Sequence, residues 1–247
     1  TKALSMSLNE FDHTLNLNLL LKALPIDVLH RMLSGLELVD LKMGQVLYET
    51  SQPIDSVFFP TTAVVSMLCV LENKDSAEIA IVGNEGMLGV FLFMSQHASP
   101  SSTVVQATGQ AYRLDADRFN SEFYRAGSLF KLILRYTQAL ITQMTQNAVC
   151  NRHHTIDQQL CRWLLLSLDR AQDNELVMTH EHISEMLGVR RAGVTVAAGK
   201  LQAAGFIQYH RGKIHVLSRQ GLEALVCECY PLVRYEFECL LGSQSIQ

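Results

Sequence analysis

The chain has 247 residues, room for one large or two medium domains at the usual ~100–200 residues each. Hydrophobic residues make up 48% and charged ones 18%, which excludes a disordered chain and promises a sizeable core. A net charge of −4 excludes binding of a polyanion by bulk charge, so any such partner must meet a local basic patch.

Residues 1–16 are polar and weakly patterned, and are expected to be a flexible N-terminus without the basic and apolar regions of a signal peptide. Leu17 to Leu36 reads as helical, with Leu17, Leu20, Leu21 and Leu24 on one face and Pro25 starting a second helical stretch. From Leu38 the period changes. Short β-branched and aromatic runs, Val46–Tyr48, Val57–Phe59, Val64–Leu68, Glu78–Val82, Thr103–Val105 and Ala111–Leu114, are punctuated by Gly44, Pro53, Pro60, Gly83 and Gly109. This spacing predicts a β-sandwich or roll over residues 17–115, with an N-terminal helix. A glycine-rich insert, GNEGMLGVFLFMSQHASP, interrupts it.

A long helix is predicted from Ser128 within residues 116–150. Phe130, Ile133, Thr137, Leu140, Met144 and Asn147 alternate spacings of three and four, a heptad seam that predicts a parallel dimer with Asn147 setting register. Asn151–His154 is expected to break this helix as a hinge, and Thr155-x-x-Gln158 is a capping box opening the next.

Residues 151–247 carry the most informative stretch. Thr179 reads as an N-cap, Ile183 and Leu187 share a face, and Gly188 can end that helix in the left-handed conformation. A second helix opens at Arg190-Arg191, with Val194, Ala198 and Leu201 apolar at helical spacing. Phe206–Tyr209 and Ile214–Leu217 flank a His-Arg-Gly-Lys turn. Helix, glycine turn, helix and hairpin make a winged helix-turn-helix. Its second helix would enter the major groove of DNA N-terminus first, with Arg190, Arg191 and Thr195 at bases or phosphates. Thr179, Lys200, Arg211 and Lys213 would complete the contacts, the last two from the wing. From Arg190 to Arg219 there are six cations and no Asp or Glu, the local patch that the net charge demands. A dimer would match a palindromic site with half-sites about 34 Å apart. The fold class is therefore α+β, with a β-sandwich or roll, a long dimerisation helix and a winged helix-turn-helix.

Taken together, LKMGQVLYETSQPIDSVFFPTTAVVSML, GNEGMLG and GVRRAGVTVAAGKLQAAGFIQYHRGKIHVL resemble the CRP/FNR superfamily of bacterial transcription regulators, from about Leu17 to Tyr230. The resemblance implies that the β region is a jelly-roll (double-stranded β-helix) sensor domain. It implies a homodimeric, cytoplasmic regulator of promoter DNA that works with RNA polymerase and has no membrane span. It also implies an effector pocket, which would fall at Gly86, Met87, Leu88, Gly89, Val90 and Ser101. In cyclic-nucleotide-binding members a Gly-Glu pair holds the ribose and an Arg neutralises the phosphate; Gly89-Val90 and Ser101 stand there instead. A buried phosphate without a cation is costly, so cyclic AMP or GMP is not expected. The N-terminal cysteine cluster that carries iron–sulfur in oxygen-sensing members is also missing, the first cysteine being Cys69. Arg191 matches the family's base-reading arginine, while Ala192 and Val196 replace its usual Glu and second Arg.

Three alternatives are open from sequence. His97, or His153-His154, would serve a haem- or metal-based sensor, and Cys227-x-Cys229 a redox one. Two ligands at that spacing do not by themselves make a tetrahedral metal site, so no metal is expected. A cupin-like β-roll enzyme would need several converging histidines, and this β region holds only His97.

Overall fold

The computed structural model describes residues 15–94, 98–171 and 173–242; His97 lies outside them. Helices α1 (Leu19–Lys22) and α2 (Ile26–Leu33) come first, separated at Pro25, whose ring bars a helix interior but suits a helix start. Asn18 caps α1 by accepting from the Leu21 N–H, and its amide donates to the Pro60 and Gly86 carbonyls.

Among the described residues the β-roll comprises β1 (Glu37–Leu41), β2 (Val46–Tyr48), β3 (Ser56–Pro60), β4 (Val64–Val70), β5 (Ser76–Val82), β6 (Ser102–Ala107) and β7 (Gly109–Asp115). They form two antiparallel sheets, ordered β1-β7-β3 and β2-β6-β4-β5. Val57, Phe59, Val65, Ile81, Tyr112 and Leu114 are buried in its core. Strand β1 was not separable in sequence because only Leu41 of its residues is fully buried, which erases the alternation.

Asp115 accepts from the Asp117 and Arg118 N–H groups to start α3 (Ala116–Phe123). The long helix α4 runs Ser128–His153, and Thr155 and Gln158 form the expected capping box at the head of α5 (Ile156–Leu168). The break between the helices is narrower than the predicted Asn151–His154: the helix continues through His153, and only His154 and Thr155 are extended. The remaining elements are β8 (Glu175–Val177), α6 (His180–Leu187), α7 (Arg191–Ala203), β9 (Ile207–His210), β10 (Lys213–Val216), α8 (Arg219–Leu225) and α9 (Cys229–Gly242). Helix α9, unforeseen in sequence, buries Tyr230, Val233, Phe237 and Leu240 as it packs back on α4.

The seam predicted on α4 is not free for a partner. Ile133, Thr137, Leu140 and Asn147 are buried within the chain, and Phe130 and Met144 are half-buried. The β-roll takes this side of the helix: Tyr136 Oη donates to the Met87 carbonyl, Gln143 to that of Ile81 and Asn147 to that of Ile79. A heptad pattern reports a buried stripe, not what buries it.

Two buried polar links tie the β-roll to the C-terminal domain. Arg170 Nε donates to Glu85 Oε1 at 2.7 Å beneath the Gly83–Gly86 turn. Gln106 Nε2 donates to Ser167 Oγ at 3.3 Å, and the Ser66 hydroxyl lies 3.0 Å from Gln106 Oε1 and 2.6 Å from Glu78 Oε2. One hydroxyl proton cannot serve both acceptors, so the chain is satisfied when a neutral Glu78 carboxyl donates to Ser66. Burial does favour that form, pushing Glu78 up to about 7 from its ordinary 4.5.

The folded state therefore holds a proton that the unfolded chain releases. Its stabilisation is complete below the unfolded value and is lost as pH rises through about 7. Glu78→Gln should flatten that loss: between about pH 5 and 8 its thermal midpoint should fall by a few degrees less than the wild type's. Parallel midpoint curves would refute the assignment.

Candidate nucleic-acid interface

Thr179 Oγ1 accepts from the His182 N–H at 3.2 Å to cap α6, so its hydroxyl is already committed to the helix. Gly188, at φ +65°, ends α6, and the Val189 N–H returns to the Ser184 carbonyl. Ile183, Leu187, Val194, Ala198 and Leu201 are buried and hold α6 to α7. A Cβ on Gly193 would come within 2.6 Å of Ile156 Cδ1, so this glycine lets α7 sit close on α5. What remains outward at the N-terminal half of α7 is Arg190, Arg191, Ala192, Thr195 and Val196.

The wing is set by its turn. Arg211 (φ +48°) and Gly212 (φ +77°) both take positive φ between β9 and β10, the two-residue geometry whose twist matches a hairpin. A left-handed arginine costs about 1–2 kcal/mol, and it places Arg211 at the wing tip. Strand β8 adds a third strand beyond β10.

The cations differ in how free they are. Arg190 and Arg211 form no ion pair among the described residues, and Arg191 Nε lies 3.5 Å from Glu181 with both side chains mostly exposed. Lys213 Nζ sits 2.7 Å from Glu175 on the wing, an exposed pair of little net worth that a phosphate can replace. Lys200 departs from expectation. It follows Arg191 by about 2.5 helical turns, hence on the opposite side, and its ammonium is 2.7 Å from Asp157 of α5. It faces the protein's own frame rather than the surface that Arg191 and Thr195 share.

His180, at the start of α6, was not foreseen. Its ring stacks on Tyr209 of the wing with centroids 4.1 Å apart, and Nδ1 is 3.1 Å from Thr195 Oγ1. Burial, and then the nearby Arg191 charge, hold it below its ordinary value, so the neutral ring joins wing and α7. A His at an N-terminal helix position carries no such signal in sequence.

The residues expected around an effector are tightly packed. Met87, Leu88 and Val90 are core residues, and a Cβ on Gly86 would meet Tyr136 Oη at 2.5 Å. Gly89, at φ +96°, lies under Tyr48 and Val57. Ser101 is buried, its hydroxyl without a partner among the described residues. Elsewhere the fold joins what the sequence separated: the donor atoms of Cys150, His154, Cys227 and Cys229 all lie within 4.8 Å of one another.

Comparison with known proteins agrees with this architecture. The cyclic nucleotide-binding domain model matches residues 38–125, and that of the Crp-like helix-turn-helix domain residues 158–225. No protein of curated function matches the sequence. Among solved structures, a protein described as a CRP/FNR-family transcriptional regulator from Eubacterium rectale superposes with a TM-score of 0.61 at 17% identity, over 85% of this chain and 98% of that one. FixK2 from Bradyrhizobium japonicum gives 0.62 at 14% identity, over 78% and 98%. TTHA1359, a CRP/FNR-family regulator from Thermus thermophilus, gives 0.60 at 18%, over 76% and 97%. At these identities the likeness establishes the fold, while the two matched domains establish the kind of protein. With a β-roll of the cyclic nucleotide-binding type joined by a long helix to a Crp-like DNA-binding domain, the chain belongs to the CRP/FNR family of transcription regulators.

Proposed function

We propose that this regulator acts as a homodimer that binds palindromic promoter DNA through α7, with RNA polymerase as the eventual partner and an effector other than a cyclic nucleotide. The observation that carries the reading is the outward face of α7, where Arg190, Arg191 and Thr195 are exposed and His180 ties Thr195 to Tyr209 of the wing that carries exposed Arg211. Arginines there suit guanine edges and phosphates, and Arg211 suits the backbone. Lys213 adds a phosphate contact once it leaves Glu175.

The dimer rests on a stripe one residue out of step with the predicted seam. Leu134, Gln138, Ile141, Thr145 and Ala148 are all exposed, with alternating four- and three-residue spacing along α4. Leu134 is 45% and Ile141 52% exposed, costly for apolar side chains left in water and apt for a parallel helix pair. A cyclic nucleotide is disfavoured because Val90 and Ser101 offer its phosphate no cation and Tyr136 closes over Gly86. The effector would act by favouring one of two arrangements of the domains about His154 and Thr155.

Arg191→Ala should weaken specific DNA binding by about 1–3 kcal/mol, or roughly 10- to 100-fold, and relax preference at one base position. Arg211→Ala should weaken all sequences alike and lower the salt slope by about one. Lys200→Ala should change little. Fluorescence anisotropy across a salt series distinguishes the three, and unchanged specificity in Arg191→Ala would overturn the reading.

Ile141→Asp should place like charges across the dimer seam and yield a monomer in analytical ultracentrifugation, with palindrome binding reduced to that of one half-site. A variant that stays dimeric would put the interface elsewhere.

A further inference from the structure

The geometry points to a mononuclear, zinc-type metal site at the hinge, in which Cys150, His154, Cys227 and Cys229 hold one divalent, thiophilic ion. Cys150 lies in the last turn of α4 and His154 caps that helix, while Cys227 precedes α9 and Cys229 begins it. Two segments distant in sequence thus converge on one point. The three cysteines are buried and form a small cluster apart from the main core.

The distances fit one ion. Metal–sulfur bonds of about 2.3 Å and a metal–nitrogen bond of about 2.0 Å in a tetrahedron imply about 3.8 Å between sulfurs and about 3.5 Å from sulfur to nitrogen. Here Cys150 Sγ and Cys227 Sγ are 3.5 Å apart, and Cys229 Sγ is 3.6 Å from His154 Nδ1. A multi-iron cluster would hold its cysteine sulfurs farther apart than the 4.8 Å that bounds this set. Three sulfurs and one imidazole are also the donor set that selects zinc over calcium or magnesium.

The surroundings independently call for such an ion. His154 turns its other nitrogen, Nε2, to Glu228 Oε2 at 3.3 Å, the carboxylate–histidine arrangement that orients a ligating ring toward its metal. Arg162 is 3% exposed, and no carboxylate among the described residues pairs with it. Its Nε donates to Cys150 Sγ at 3.2 Å, and Nη1 contacts Asn147 Oδ1. A buried guanidinium with no carboxylate in contact is costly, and Glu78, the carboxyl that feels its charge, is itself pushed toward the neutral form by burial. Three thiolates around a divalent ion leave one net negative charge, and Arg162 balances it. On binding, each thiol gives its proton to solvent and its sulfur lone pair to the metal, with no change of oxidation state.

A bound ion would fasten the end of the long helix to the start of α9, and so fix the angle at which the DNA-binding domain leaves α4. The inference stands on the donor set alone and holds whichever operator or effector the protein uses.

Cobalt(II) titration of the full chain, reduced and freed of metal, tests it. One cobalt per chain should bind, with the intense ligand-field bands of a tetrahedral site and thiolate-to-cobalt charge-transfer absorption, both bleached by one equivalent of zinc. Cys229→Ser should weaken binding at least tenfold and reduce the charge-transfer intensity, while Cys69→Ser and Cys239→Ser, at exposed thiols, should bind as wild type. Glu228→Gln, which alters a carboxylate 72% exposed and so spares the fold, should cost about 10- to 100-fold in affinity. Zinc should also raise the thermal midpoint of the wild type but not of Cys229→Ser. Absence of stoichiometric cobalt in the reduced protein, octahedral spectra, or binding indifferent to Cys229→Ser and Glu228→Gln would overturn the proposal. So would a Cys150–Cys227 disulfide that forms readily while the reduced protein ignores the metal.

Discussion

Helix α4 is committed on one side before any partner or ligand enters. Ile133, Tyr136 and Leu140 bury apolar surface against the β-roll, and Tyr136, Gln143 and Asn147 each donate to a β-roll carbonyl. Withdrawing the helix would leave those polar groups unpaired in a dry interior, at about 1–3 kcal/mol each. The helix therefore moves with its β-roll as one body, and its exposed stripe is fixed in direction by that attachment. The proposed dimer and the placing of two α7 helices along DNA both follow from that direction.

The C-terminal domain is bound to this body by the apolar face of α9 on α4, by α6 against β5, and by two buried polar links. Arg170 and Glu85 form a buried ion pair, and Gln106, held from behind by Ser66 and Glu78, donates directly to Ser167. Such pairs are poor sources of net stability but are costly to break by halves. Glu85 belongs to the same glycine-rich turn that lies over Tyr136 and the expected effector region. A displacement of that turn would thus be felt directly at the end of α5, on which α7 rests through Gly193 and Ile156.

The hinge holds the third link and the only one built from sulfur. Helix α9 closes the chain back onto α4, and this return brings Cys227 and Cys229 to Cys150 and His154. An ion there would restrain the same short extended segment, His154–Thr155, that must bend if the two domains are to change their angle. The polar links to the β-roll and the sulfur cluster lie at opposite ends of α5.

Local pattern was enough for the elements whose signals are local. The capping box at Thr155 and Gln158, the Thr179 cap, the Gly188 turn and the Arg-Gly hairpin at 211–212 depend on bonds and dihedrals within a few residues, and each was legible in sequence. Polar β1 and short β8 lacked such signals, and α9 was missed despite the spacing of Tyr230, Val233, Phe237 and Leu240. Periodicity revealed that α4 buries a stripe, yet only the packed molecule decided that the β-roll fills it and that Leu134 and Ile141 stay outside. The same holds for Lys200, which composition groups with the other cations while the fold sets it on the far side of α7 from Arg191, beside Asp157. Cys150 and His154 stand 77 and 75 residues before Cys227 and Cys229. No spacing rule spans such a separation, because the distance that matters is set by where α9 docks.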